Sequence, residues 1–161
     1  MKNSLKIVVV AILGLVVNFQ ASAQEAKYKC MIQMSNYEGL EAYVVVSLID
    51  AKGNSEKTLY VMGPDKQWYN GFKDWNKKLG KKKENLNAMT GASIAAGDRS
   101  ITTFSIDESK FNKGYKLRFE TAVEDGNNHF QDVEIPLTKE GITVKTDGKG
   151  YIRYVKLNKV Q

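Results

Sequence analysis

Apolar residues fall at every second position in the first stretch that reads as folded chain. Tyr28, Cys30, Ile32 and Met34 alternate with polar neighbours, the period of a strand with one face in a core. Cys30 is therefore expected to point inward as a small buried hydrophobe. Residues 41–50, EAYVVVSLID, are rich in β-branched side chains, and residues 57–62 resemble them beyond Ala51-Lys52-Gly53-Asn54. The two runs predict a hairpin. Gly63-Pro64-Asp65 breaks the pattern, Asp65 is a candidate helix cap, and Trp68, Phe72 and Trp75 fall at i, i+4 and i+7. That spacing predicts one short amphipathic helix, interrupted at Gly71 and ended by Gly80. Its aromatic stripe suits a plug over an open end or edge of a sheet.

Strands resume over residues 101–106 and 115–120. In the second, alternation predicts Leu117 and Phe119 inside and Lys116, Arg118 and Glu120 in solvent. Asp125-Gly126-Asn127-Asn128 is a turn before a strand over residues 129–137, and two further strands are expected around residues 142–145 and 151–157. Many short strands, 2 prolines and one helix predict an all-β fold, an antiparallel immunoglobulin-like β-sandwich.

The amino terminus has a different character. Lys2 and Lys6 precede an apolar run over residues 7–17, and Ala21-Ser22-Ala23 supplies small residues, which together predict a secretory signal peptide cleaved after Ala23. The run is too short to cross a bilayer, so residues 24–161 are expected to form a single domain with no transmembrane segment. Cys30 follows Lys-Tyr-Lys, unlike a lipid-modified cysteine. A periplasmic or secreted destination sets aside nucleic acid as a partner despite the formal charge of +6. Much of that charge lies in Lys77, Lys78, Lys81, Lys82 and Lys83, which reads as a solvated face or loop. A single cysteine leaves no intramolecular disulfide.

Self-contained enzyme chemistry finds few residues. His129 is the single histidine; it borders the 125–128 turn and reads as an exposed loop residue with no nucleophile to serve. Zinc or haem ligation needs several His and Cys donors, so no metal site is expected. Asp107, Glu108 and Glu120 belong to separate turns and strands and form no carboxylate pair.

One segment is chemically unusual: NAMTGAS, residues 87–93, a polar loop with hydroxyls on either side of a Gly-Ala pair. As local geometry alone, Thr90 and Ser93 would bond backbone groups in a turn and Gly91 would take a positive φ. The succession AYVVVSLIDAKGNSEKTLYVMG, QWYNGFKDW, NAMTGAS and KGYKLRFETAVEDG resembles the predicted periplasmic proteins of domain of unknown function 2271, over about residues 41–137. The loop also resembles the acceptor motif of bacterial flavin transferases: Asp, two variable residues, Ser or Thr, Gly, Ala, and a final Thr or Ser. That resemblance implies FMN transferred from FAD to the final hydroxyl as a phosphodiester. Ser93 is then the acceptor, Thr90 the first hydroxyl, and Gly91 and Ala92 the small pair that lets an external enzyme approach. Asn87 stands where the motif has Asp; it keeps the size and a carbonyl acceptor but loses the charge.

The resemblance further implies an exported electron-transfer protein carrying covalent FMN, served by a flavin transferase and a membrane redox partner. Trp68, Tyr69 and Trp75 are the candidates to stack on the flavin, and the lysine run the candidate to hold its phosphate or a partner's acidic face. The alternative from another class is a non-redox binding module for a glycan or a protein partner. Either is an electron carrier or binding protein rather than a self-contained enzyme.

Overall fold

The structure, a computed structural model, describes residues 24–72, 75–76, 86 and 89–160. The expected signal peptide, the lysine run and Asn87 lie outside the described residues. Nine strands are present among the described residues: β1 (Glu25–Met34), β2 (Ala42–Ile49), β3 (Ser55–Met62), β4 (Thr90–Gly91), β5 (Arg99–Asp107), β6 (Lys116–Val123), β7 (Asn128–Pro136), β8 (Thr146–Asp147) and β9 (Ile152–Lys159). They form a four-stranded sheet in the order β5-β1-β9-β8 and a five-stranded sheet in the order β4-β3-β2-β6-β7. Every pairing is antiparallel except the short parallel contact of β3 with β4. The all-β, two-sheet expectation holds. Its finer part meets a difference: immunoglobulin domains place their first two strands in one sheet, whereas β1 and β2 lie in different sheets here.

The main core lies between the sheets. Tyr28, Cys30, Ile32 and Met34 of β1 join Val44, Val46 and Leu48 of β2 and Leu117 and Phe119 of β6, as their alternation predicts. Burial pushes the Cys30 thiol up to about 12. The β2–β3 hairpin turns where expected, with Asp50 Oδ1 accepting from the backbone N–H groups of Lys52 (2.9 Å) and Asn54 (2.8 Å).

A second core occupies the outer face of the five-stranded sheet. Val45, Val61 and Ala122 are covered there by Tyr69, Phe72, Trp75 and Leu86. This layer buries β2 on both faces, so its sequence runs VVVSLI without alternating. The expected helix is present in part. Residues Lys66–Gly71 form a 3-10 turn, and Asp65 makes no side-chain capping bond. Trp75 and Asn76 are α-helical, with Asn76 N–H donating to Phe72 O at 2.7 Å. Tyr69, Phe72 and Trp75 are buried and Trp68 is half-buried, while Gly80, the expected end of the helix, lies outside the described residues.

The outer layer overturns the exposure expected on β6 as well: Arg118 and Glu120 are buried. Arg118 Nε donates to Glu134 Oε1 at 2.8 Å, and its guanidinium lies 4.4 Å from the centre of the Phe130 ring. Glu120 lines a cleft with Phe72 and Phe130. The strand expected near residues 142–145 is replaced by a short helix, α1 (Lys139–Thr143), because Thr138 caps it by accepting from the Gly141 N–H at 2.9 Å.

Candidate functional site

The TGAS stretch is held by its neighbours on both sides. Val61 N–H donates to Met89 O and Gly63 N–H to Gly91 O, each at 2.8 Å, which makes Thr90-Gly91 an edge strand beside β3. Ala42 and Ile94 then exchange two backbone hydrogen bonds, 2.8 and 3.0 Å. The motif is therefore not a free polar loop. Gly91 does not take a left-handed conformation. Its glycine is needed for a different reason: a Cβ there would run into the Tyr60 hydroxyl.

Beyond this anchorage burial deepens along the chain. Ala92 is exposed, Ser93 half-buried and Ile94 buried. With Ile94 packed into the main core, Ser93 turns outward, and its hydroxyl donates to Glu41 Oε2. Thr90 is half-buried in β4. Glu41 precedes Ala42, whose side chain is also in the main core, so Glu41 and Tyr43 share the outward face of β2.

Tyr43 lies against Gly63, which has a φ of +111° and no room for a side chain beside that ring. Burial pushes the Tyr43 phenol up, and the carboxylates of Asp65 and Glu124 add to the effect. With Trp68, Tyr43 lines a cleft of about 330 Å³ whose other walls include Gly71, Ala122 and Glu124.

The three aromatic candidates separate. Tyr69 and Trp75 are 3% and 2% exposed, and their rings meet edge-on at 5.1 Å. Tyr69 Oη donates to Gly63 O at 3.1 Å and Trp75 Nε1 to Thr58 Oγ1 at 3.0 Å. Those two rings belong to the outer core, and Trp68 is the one that reaches the surface cleft.

A second polar centre lies on the β7 side. Asp132 is fully buried; Oδ1 accepts from the N–H groups of Lys149 (2.9 Å) and Gly150 (2.7 Å), and Oδ2 from Thr121 Oγ1 (2.6 Å) and Ile152 N–H (3.0 Å). His129 packs beside it, edge-on to Tyr151 at 4.8 Å. The exposed-loop expectation for His129 is corrected, since it is half-buried in β7 and in contact with Gly150. Among the described residues no group of His, Cys, Asp and Glu is placed to hold a metal ion.

Sequence reasoning missed Glu41 and Tyr43. Glu41 lies 52 residues before Ser93, and the strand pairing of Ala42 with Ile94 brings them together. The polar-small-aromatic order Glu-Ala-Tyr was the available signal for a shared outward face.

Fold and site define an all-β domain that presents a hydroxyl on a backbone-clamped segment and carries a cleft lined by Tyr43 and Trp68. The family model described as predicted periplasmic protein (DUF2271) matches residues 25–154, from β1 into β9, and the chain belongs to that family. No curated protein and no solved structure matches the chain. Among the described residues no helix is long and apolar enough to cross a membrane.

Proposed function

We propose that the protein is an extracytoplasmic electron carrier whose FMN is attached to Ser93 as a phosphodiester by a flavin transferase. The observation that carries this reading is the Ser93 hydroxyl itself, held on a clamped backbone next to exposed Ala92 and bonded to the carboxylate of Glu41. A hydroxyl serving a turn bonds the backbone; this one faces outward and bonds a side chain.

The residues present fit the group. Gly91 and Ala92 place nothing larger than a methyl beside the acceptor, and the backbone bonds on either side hold its direction. Attachment requires Ser93 Oγ to bond to the phosphorus of the FMN half of FAD while the pyrophosphate P–O bond breaks, AMP leaves and the hydroxyl proton passes to a base. Glu41 Oε2 already accepts that proton in a hydrogen bond. The bound flavin would supply reversible electron uptake, and the protein its position and surroundings. Membership of a family of predicted periplasmic proteins agrees with modification outside the cytoplasm.

The test is colour. Protein exported in cells that contain its host's flavin transferase is expected to be yellow and to keep the colour through denaturation and gel filtration. Colourless protein, from cells in which a second acceptor is flavinylated, contradicts the proposal and favours the non-redox binding module.

A further inference from the structure

We infer that the cleft between Tyr43 and Trp68 is the seat of the flavin's tricyclic ring, an inference that rests on Ser93 as the point of attachment. Position is the first argument. Ile94 bridges to Ala42, and Ala42 pairs with Val123 of β6, so the segment carrying Ser93, β2 and β6 are successive neighbours. Neighbouring strands lie about 4.8 Å apart, which puts the cleft over β2 and β6 within roughly 10 Å of the segment carrying Ser93. A ribityl phosphate arm covers that span. The side is also right: Ser93 bonds Glu41, and Glu41 shares its outward face with Tyr43, which lines the cleft.

Shape and chemistry make the second argument. The cleft volume, about 330 Å³, lies within the usual range of small-molecule pockets, roughly 300–1,000 Å³. Tyr43 and Trp68 supply aromatic surface, Ala122 an apolar floor, and Gln67 and Asn70 amides at the rim. A flat ring system with carbonyl and N–H groups along one edge needs this combination of apolar surface and a few polar partners. Gly71 keeps the floor open, because a Cβ there would come within 3.3 Å of the Ala122 methyl. The carboxylates of Glu124 and Asp125 also line the cleft. Negative charge there disfavours an anionic reduced ring, so this seat holds the reduction potential down.

The experiment uses full-length protein exported with its host's flavin transferase and reads two quantities: occupancy by intact mass, and flavin fluorescence per bound flavin before and after proteolysis. Stacking on Trp68 is expected to quench the wild-type flavin severalfold relative to the released flavinyl peptide. Trp68→Ala is expected to keep the occupancy and recover most of the fluorescence, and Trp68→Phe to fall between them. Thermal unfolding of each variant checks that the fold persists. Occupied wild-type protein as bright as its proteolysed peptide overturns the seat, and so does an occupied, folded Trp68→Ala variant as dim as wild type. A wild type without adduct overturns the attachment to Ser93 and the seat with it; the mass distinguishes this failure from the other two.

Discussion

At Asp132 a buried carboxylate accepts four hydrogen bonds, from Thr121 Oγ1 and the N–H groups of Lys149, Gly150 and Ile152. At Ser93 a half-buried hydroxyl gives one hydrogen bond, to the carboxylate of exposed Glu41. The first arrangement is what burial demands, since a carboxylate removed from water must be saturated by the protein. It ties β7 to the turn before β9. The second keeps its geometry through the backbone on either side, and its hydroxyl makes a single bond to an exposed carboxylate. The interior carboxylate is fully committed to architecture, whereas the Ser93 hydroxyl keeps capacity that the proposed attachment would use.

Loss of Asp132 is expected to have the largest effect. Asp132→Ala leaves three backbone N–H groups and a hydroxyl without their acceptor and is expected to cost at least about 3 kcal/mol in denaturant titration. A loss near zero would show that water replaces the carboxylate freely.

Glu134 is intermediate between the two centres. Burial pushes its carboxyl up, but hydrogen bonds from Lys116 (2.7 Å) and Arg118 (2.8 Å) outweigh that and hold it below the usual range. A lowered folded pKa gives stability that is complete above the unfolded value of about 4.3 and is lost as pH falls through the folded value. Glu134→Gln is expected to cost about 2 kcal/mol at pH 7, with the gap from wild type narrowing at acidic pH. Urea midpoints measured across that range check it, and a gap independent of pH contradicts it.

Effects at the sheet edge are smaller on stability. Glu41→Gln keeps a hydrogen-bond acceptor and removes the charge; the stability change is expected to stay within about 0.5 kcal/mol. Its flavin occupancy, read by intact mass at early times after induction, is expected to fall, and unchanged occupancy removes Glu41 from the transfer. Asn87→Asp restores the charge of the motif's first position and is expected to give the smallest change, a modest rise in occupancy under the same assay.

Local periodicity carried the sequence as far as single strands. β1 and the β2–β3 hairpin were legible because alternation and turn residues are short-range signals, and Cys30 followed from its place in β1. The outer layer was not, since alternation assigns Arg118 and Glu120 to water only if nothing covers that face. Phe130 and the segment bearing Tyr69, Phe72 and Trp75 cover much of it. The spacing Trp68, Phe72, Trp75 held for Phe72 and Trp75, which are buried, but the first turn is 3-10 with a period nearer three, so Tyr69 rather than Trp68 joins them. At the site, TGAS was visible as a contiguous motif, and Gly91 was read for its φ when the Tyr60 hydroxyl is what excludes a side chain. Glu41 was hidden because its link to Ser93 runs through a strand pairing across 52 residues.

Peptide mapping of the exported protein tests the attachment of FMN to Ser93. With its host's flavin transferase present, wild type is expected to carry one FMN phosphoryl unit, located to Ser93 by fragmentation, while Ser93→Ala folds with wild-type stability and carries none. An adduct that persists in Ser93→Ala, or wild type without adduct in cells that flavinylate a second acceptor, would contradict it.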